Sequence, residues 1–339
     1  MAQREGDSSQ TSLTRSNILI LTRISAGEKE QLSLNDEHWN MNHILQEGEL
    51  NTPSRSTRPS WLKVKVPLGE NFSRLKGLMD QKHLHTVCEE ARCPNVSECW
   101  NAGTATFMIL GDICTRSCGF CAVKTGRPIG LDLDEPFRVA DAVRAMGVRY
   151  AVVTSVNRDE LPDGGAAVFA DTIREIRRVN PGVTVEVLIP DFRGVEWALD
   201  IVVEAHPDVL NHNVETVPRL YGAVRPQAKY ERSIELLQRS KSKGMITKTG
   251  IMVGLGETEE EVQHVLRDVH NVAIDIFTIG QYLQPTKEHL LVDRYVHPDE
   301  FVRYREFGTA IGIPRVESGP LVRSSYHAEE WQKHKGSKE

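Results

Sequence analysis

The stretch from Ala105 to Cys121, ATFMILGDICTRSCGFC, decides the reading of the whole chain. Its first part, Ala105 to Gly111, is an apolar run of the length of a buried strand. Its second part follows at once and carries Cys114, Cys118 and Cys121 in the spacing C-x3-C-x2-C. In β/α folds the reactive groups gather at the C-terminal ends of strands, and this loop lies there. Three thiolates can hold three corners of a four-iron cluster and leave one iron open to another ligand. Gly119 relieves crowding within the loop, and Phe120 can shield one face.

Just upstream stands a second triad, Cys88, Cys93 and Cys99, in the stretch CEEARCPNVSEC. The two triads use all six cysteines of the chain. Tetrahedral zinc, or a fully ligated cluster, normally takes four protein ligands. Two incomplete sets close together therefore point to chemistry more than to scaffolding. The alternative at the first triad is a structural zinc loop with a remote fourth ligand, but the histidines are scattered.

Downstream of the first triad, strand and helix patterns alternate. Strands are predicted at Ala105–Gly111, Tyr150–Val156, Val183–Ile189, Val209–Val217, Ile246–Leu255 and Ile274–Leu283. Helices are predicted at Pro136–Met146, Ala166–Val179, Val195–Ala205, Glu231–Lys243, Glu259–Val272 and Asp299–Ile311. Short right-handed connections favour a parallel sheet. Six β-α units, with no glycine-rich dinucleotide turn after the first strand, favour a partial (β/α)6 TIM-like barrel over a doubly wound sheet. A short helix over Ser73–Lys82 and an extended or helix-edge segment at Trp61–Pro67 precede the second triad. Residues 1–58 are polar, lack any sustained period and end in a linker-like stretch, which predicts a disordered tail. The expected organisation is that tail, an extension over 59–103, the barrel over 104–312 and a C-terminal segment over 313–339, with the two extensions closing the barrel mouth.

The chain has 339 residues, 40% hydrophobic and 26% charged, with a formal net charge of -6. That balance implies no broad basic field for nucleic acid. No apolar run near the N-terminus is long enough to span a membrane or form a secretory core. Clustered, unpaired-looking cysteines suit a reducing compartment, so a cytoplasmic location without membrane or nucleic-acid partners is expected.

The C-x3-C-x2-C loop, with an aromatic before its last cysteine, resembles the radical S-adenosylmethionine superfamily. That resemblance implies a 4Fe-4S cluster whose open iron is chelated by S-adenosylmethionine, and one-electron cleavage of the sulfonium to a 5'-deoxyadenosyl radical. The longer run CEEARCPNVSECW, with TSVNRDELPDGG, LIPDFRG, NHNVETV, KTGIMVGLGET, GQYLQPT and VESGPLVRSSYHA, resembles the lipoyl synthase family over about residues 58–330. The family resemblance implies a second, auxiliary 4Fe-4S cluster held by Cys88, Cys93 and Cys99 and by Ser325 of the R-S-S-Y motif. Read from the residues alone, Ser324 and Ser325 fit a helix N-cap before Tyr326–Trp331. The resemblance further implies insertion of two sulfurs at C6 and C8 of a protein-bound octanoyl chain, with two S-adenosylmethionine molecules per product. Acid–base chemistry does not activate such C–H bonds, so no side chain is expected to be catalytic and the cofactor carries the reaction.

Expected S-adenosylmethionine contacts are Phe120, Thr154 and Ser155 at the second strand's end, Asn213 and Glu215 on the NHNVETV strand, Lys248 for the methionine carboxylate, and Gly254 in a glycine turn. Each polar one has a bland alternative as a cap or a satisfied barrel residue. The acids Glu257, Glu259, Glu260 and Glu261 read as a helix start and solvated face. Implied partners are octanoylated lipoyl-carrier proteins (E2 subunits of 2-oxoacid dehydrogenases or the glycine cleavage H protein), a ferredoxin- or flavodoxin-type reductant, and an iron–sulfur carrier that rebuilds the auxiliary cluster. Two other readings remain: a different radical enzyme, and a non-catalytic two-cluster electron carrier. The paired triads with the R-S-S-Y tail disfavour the first, and the open coordination site disfavours the second.

Overall fold

The computed structural model describes residues 58–63, 77, 79, 84–86, 88, 93, 95–326 and 328. Residues 1–57 of the predicted tail and most of the predicted Ser73–Lys82 and Tyr326–Trp331 helices lie outside these residues. Within Trp61–Pro67 the described part is a 3-10 turn at Ser60–Leu62, capped by the Lys63 N–H on Ser60.

Valine, isoleucine, threonine and phenylalanine fill the strands, as their stiff or flat side chains favour a pleated surface. The strands are β1 (His85–Thr86), β2 (Thr104–Ile109), β3 (Ile113–Cys114), β4 (Lys124–Thr125), β5 (Tyr150–Ser155), β6 (Thr184–Leu188), β7 (Val209–Asn211), β8 (Thr247–Val253), β9 (Ile276–Gln281) and β10 (Arg315–Gly319). One sheet runs in the order β1-β2-β5-β6-β7-β8-β9-β10. β1 is antiparallel to β2, and the other seven strands are parallel. The helices are α1 (Val96–Asn101), α2 (Glu135–Met146), α3 (Ala166–Val179), α4 (Glu196–Glu204), α5 (Tyr221–Val224), α6 (Tyr230–Ser242), α7 (Glu259–Asn271) and α8 (Pro298–Ala310).

Each helix is shaped by local signals. α3 puts Val168, Phe169, Ile173 and Ile176 on one buried face. Each such side chain contributes about 1.5–3 kcal/mol on burial. Thr258 and Glu261 form a capping box at the start of α7. α8 begins with Pro298 in its first turn, where the lost N–H has no helical partner anyway.

Strand alternation divides the sheet into two faces. Ala105, Phe107, Ile109, Ala151, Val153, Val185, Val187 and Leu210 pack in one apolar cluster with helix residues such as Phe169 and Ile173. Ile251, Val253, Phe277, Ile279 and Val316 join a second cluster with residues of α7 and α8. The opposite face carries Thr106, Thr154, Glu186, Asn211, Lys248 and Thr278, all buried. Glu186 on β6 reaches Lys248 on β8 at 3.1 Å, past the intervening strand. The sheet therefore curves around a polar interior, as a partial barrel does.

All six predicted β-α units are present, with small boundary shifts. Three features differ. A seventh parallel strand, β10, follows the sixth helix, so the sheet runs past the predicted end at residue 312. The predicted strand Val209–Val217 stops at Asn211, because Glu215 takes a φ of 71. Only a bridge between Glu215 and Ile251 continues the pairing. Finally, Cys99 lies on helix α1, where no helix is predicted.

Beyond β10 the chain turns back across the inner face. The Val322 carbonyl would lie 2.2 Å from a Cβ at position 280, so only glycine fits at that point of β9. Ala328 then packs on Tyr150 and Val152 of β5. The C-terminal segment thus links β10 to the first strands of the sheet.

Candidate active site

The first cysteine loop is built where β2 ends, with β3 and β4 forming a small parallel pair inside it. Backbone N–H groups of Arg116 and Asn157 donate to the Cys114 sulfur at 3.4 and 3.3 Å. Asn157 follows β5, and its carbonyl also accepts from the Thr115 N–H at 3.0 Å. The loop is therefore stitched to the β5 terminus, which brings Thr154 and Ser155 to its flank.

Arg116 fixes the loop from below. Its guanidinium donates to both oxygens of Asp159 at 2.7 and 2.8 Å and to Asp191 at 2.6 Å. Asp191 is fully enclosed and also takes Arg232 at 3.0 Å. Burial acts to raise the Asp191 carboxyl, but the Arg116 hydrogen bond and charge outweigh it and hold it well below the usual range. Two further segments close over the loop. The Gly119 N–H donates to Val224 O at 2.9 Å, and Leu290 N–H donates to Gly119 O at 3.0 Å. A Cβ at Gly119 would lie 2.8 Å from the Leu290 side chain. His289 Nε2 pairs with Cys121 O at 2.9 Å.

The three thiols share one electrostatic neighbourhood. Burial pushes Cys121 up to about 12; the Val123 N–H opposes this, and Cys118, Cys114 and Glu215 add to it. Burial also raises Cys118, against Arg225 and with Glu215 and Cys114. Among the described residues no group of three or more His, Cys, Asp or Glu side chains stands in metal-holding geometry. Ligation needs thiolates, so cluster loading releases protons.

The residues around the loop nonetheless fit a cluster with a polar organic ligand. Enclosed polar atoms without partners cluster at the ends of β5 and β7: Ser155 Oγ, Asn157 Oδ1, Asn213 Oδ1, Thr216 Oγ1 and Arg225 Nε. Native proteins leave few such atoms, and a ligand would satisfy these. Glu215 and Asn213 are brought to the loop, since Glu215 acts on both Cys118 and Cys121. Burial raises the Glu215 carboxyl, opposed by Arg225 and by a hydrogen bond from Asn213. Its left-handed backbone costs on the order of 1–2 kcal/mol, and two β8 hydrogen bonds hold it there: Glu215 N–H to Gly250 O at 2.9 Å and Met252 N–H to Glu215 O at 2.8 Å.

Other expected contacts fall differently. Thr154 spends its hydroxyl proton on Leu188 O at 2.9 Å. Phe120 is half-buried in the loop. Lys248 does not reach the site: it lies near the start of β8, buried against Glu186. Tyr150 OH and Asn211 Nδ2 donate to the same carboxylate at 2.8 and 3.0 Å. An inward Lys low on a strand meets the barrel's own acid before any ligand at the mouth. Gly254, at φ 96, forms a tight turn whose N–H donates to Glu257 at 2.6 Å. Glu257 is therefore buried and structural instead of solvated, and burial raises its carboxyl against the donating N–H of Gly254.

The second triad meets the C-terminal segment. Asn95 Nδ2 donates to Leu321 O at 2.7 Å, and Thr106 Oγ1 on β2 donates to Ser325 Oγ at 3.0 Å. Tyr326 OH reaches Glu98 at 3.3 Å. Burial raises the Cys93 thiol, opposed by the Asn95 N–H and by Arg323.

Residues that the sequence reading missed are Arg116, Asn157, Asp159, Asp191, Arg225, His289 and Leu290. Asp159, Asp191 and Arg116 lie inside quoted motifs, but nothing in one sequence pairs positions 43 and 75 residues apart.

A partial parallel barrel with three thiols on the loop after its first full strand defines a radical S-adenosylmethionine enzyme. Residues 108–269 match the family model described as the Radical SAM superfamily, and residues 24–93 match the N-terminal domain of lipoyl synthase. The second match begins inside the segment read as a tail. The chain is 63% identical over 278 residues to lipoyl synthase of Rubrobacter xylanophilus, covering 81% of this chain and 87% of the relative. It is 55% identical to lipoyl synthase of Flavobacterium johnsoniae, covering 82% and 96%. Among solved structures, Streptococcus suis SuiB bound to precursor peptide SuiA superposes with a TM-score of 0.52 at 12% identity, covering 74% of this chain and 53% of that one; this likeness concerns the fold alone. The chain belongs to the lipoyl synthase family, and it is a sulfur-inserting enzyme that uses a 4Fe-4S cluster and S-adenosylmethionine. No helix among the described residues is long and apolar enough to cross a membrane.

Proposed function

We propose that this chain inserts two sulfur atoms at C6 and C8 of an octanoyl-lysine on a lipoyl-carrier protein, using two S-adenosylmethionine molecules per product. Cys114, Cys118 and Cys121 would hold the cluster that binds S-adenosylmethionine. Cys88, Cys93, Cys99 and Ser325 would hold an auxiliary 4Fe-4S cluster that donates the sulfur. When bound, these groups supply one-electron sulfonium cleavage, hydrogen abstraction and sulfide. A ferredoxin- or flavodoxin-type protein would reduce them and an iron–sulfur carrier would rebuild the auxiliary cluster, in the reducing cytoplasm.

The chain's own residues bind, orient and exclude water. Ser155, Asn213 and Glu215 offer acceptors and donors to the amino acid and ribose ends of S-adenosylmethionine. The Gly254 turn, held by Glu257 and packed against Gln281, lends backbone to its adenine. Arg116, Asp159 and Asp191 hold the cysteine loop rigid, as a site needs from the residues around its ligands. The segment around His289 and Leu290 covers the loop and keeps water from it.

One observation supports the sulfur-donor reading: Asn95, between Cys93 and Cys99, donates to Leu321 O and so ties the stretch of the second triad to the C-terminal segment that carries Ser325. The test uses anaerobically reconstituted protein with S-adenosylmethionine, dithionite and an octanoyl-lysyl carrier peptide, followed by mass spectrometry. Two added sulfurs with deoxyadenosine are expected. Cys118→Ala should lose both, while Cys93→Ala should still form deoxyadenosine and leave the peptide unsulfurated. A lipoyl product from Cys93→Ala would refute the donor role.

A further inference from the structure

The segment after α5 lies directly against the first cysteine loop. Val224 O receives the Gly119 N–H at 2.9 Å, and Gln227 Nε2 donates to Ser117 Oγ at 2.9 Å. Between these two contacts stands Arg225. Its Nη1 donates to Asn213 O at 2.8 Å and Val214 O at 3.2 Å, and its guanidinium carbon sits 5.7 Å from the centre of the Tyr221 ring. Tyr221 is itself fixed by Val214 O at 2.8 Å. The side chain is thus locked in place, yet among the ion pairs of the described residues none involves it. Its Nε is enclosed and has no partner.

Buried cations normally come paired, because losing hydration costs more than neutral hydrogen bonds return. Arg116, on the same loop, illustrates the paired case with Asp159 and Asp191. Arg225 has only uncharged partners, the Asn213 and Val214 carbonyls and the hydroxyl and ring of Tyr221. The contacts on either side of it, Gly119 N–H to Val224 O and Gln227 to Ser117, set this cation against the cysteine loop, with Glu215 as a second neighbour.

We propose that Arg225 is the charge-compensating residue of the barrel cluster: its guanidinium offsets the negative charge of the three-thiolate cluster and raises its reduction potential. The proposal rests on the reading that Cys114, Cys118 and Cys121 hold that cluster. Cluster potentials follow net charge, hydrogen bonding to sulfur and exposure. Reduction adds a negative charge, so a fixed nearby cation stabilises the reduced form. Arginine suits this role because it stays protonated throughout the working pH range.

The test is an EPR-monitored redox titration of the full reconstituted chain, following the signal that S-adenosylmethionine perturbs. Arg225→Gln should load iron normally and shift the reduction equilibrium about tenfold towards the oxidised form, or about 59 mV lower for one electron. Arg225→Lys should stay near the wild-type potential. An unchanged potential in iron-loaded Arg225→Gln overturns the proposal, and weaker S-adenosylmethionine binding with an unchanged potential would make Arg225 a ligand contact instead. If Arg225→Gln loads no iron, Arg225→Lys decides: a wild-type potential supports compensation, and a lowered one overturns it. Cys118→Ala is the separate control, because retention of the perturbed signal there refutes the ligand reading itself.

Discussion

Replacing His212 with Gln should remove an acid-sensitive part of the protein's stability. His212 is buried at the end of β7, with Nδ1 2.8 Å from Ile189 O and Nε2 2.9 Å from Ser233 Oγ. A carbonyl only accepts, so Nδ1 carries the proton and Nε2 accepts from Ser233. That neutral tautomer satisfies both contacts, and a second proton would break the Ser233 bond. Burial, then the charge of Arg225, lowers the imidazole from 6.5 to about 4, against Ile189 and Asp191. Above pH 6.5 the ring is neutral in both folded and unfolded chains, so no stability depends on it. Below 6.5 the unfolded chain takes up a proton that the folded chain refuses until about pH 4, so stability falls as pH falls through that window. The gap, at about 1.36 kcal/mol per pH unit, amounts to about 3 kcal/mol. Urea unfolding under anaerobic conditions between pH 4.5 and 8 measures it in wild type and His212→Gln. The difference between the two should shrink by most of that amount on acidification, because only the wild type loses stability through this ring. Two parallel pH curves would refute the reasoning. The ring's neighbours, Asn213 and Glu215, tie this acid sensitivity to the site.

Asp191→Ala strands Arg116 with one half-exposed carboxylate, so we expect a loss of about 3–5 kcal/mol in denaturant unfolding and a lowered iron content at the first triad. Lys248→Met should cost a similar amount by leaving Glu186 unpaired, whereas Lys248→Met with Glu186→Gln should recover most of it, because the pair is removed together; S-adenosylmethionine affinity should stay unchanged in the double variant. Gly254→Ala places a Cβ 2.1 Å from Gln281 Nε2 at a φ of 96, so thermal unfolding should show a loss above about 1–2 kcal/mol and calorimetry a weaker S-adenosylmethionine complex. Ser325→Ala should reduce sulfur insertion more than deoxyadenosine formation; equal losses would mark Ser325 as merely structural.

The six β-α units were legible because parallel strands with helices on one face impose strong local patterns. YAVVTS and IFTIGQ carry the β-branched and aromatic residues of strands, and α3 carries its apolar stripe at helical spacing. β10 was missed because RVESG is short, polar and follows a proline, so nothing local marks it as a strand. It pairs with β9 only because α8 returns the chain to that edge. Asn213 and Glu215 were placed on a regular strand by period-two alternation, yet Glu215 bends out through a left-handed backbone that β8 stabilises. Lys248 misled for a related reason: a strand position tells which face a side chain takes, not how deep in the barrel it lies.

The sequence by itself determined the chemistry. Cysteine spacing is local, and a C-x3-C-x2-C loop brings its thiols near one another in almost any fold that leaves it a strand's end. Periodicity is equally local, so the order of strands and helices came with it. Tertiary structure alone decided what lies opposite those thiols: the Arg116–Asp159–Asp191 network, the unpaired Arg225, and the meeting of Ser325 with the β2 strand 219 residues away. Such contacts depend on the relative positions of distant elements, which are fixed by burying the apolar faces of the whole sheet and not by any residue's own neighbours.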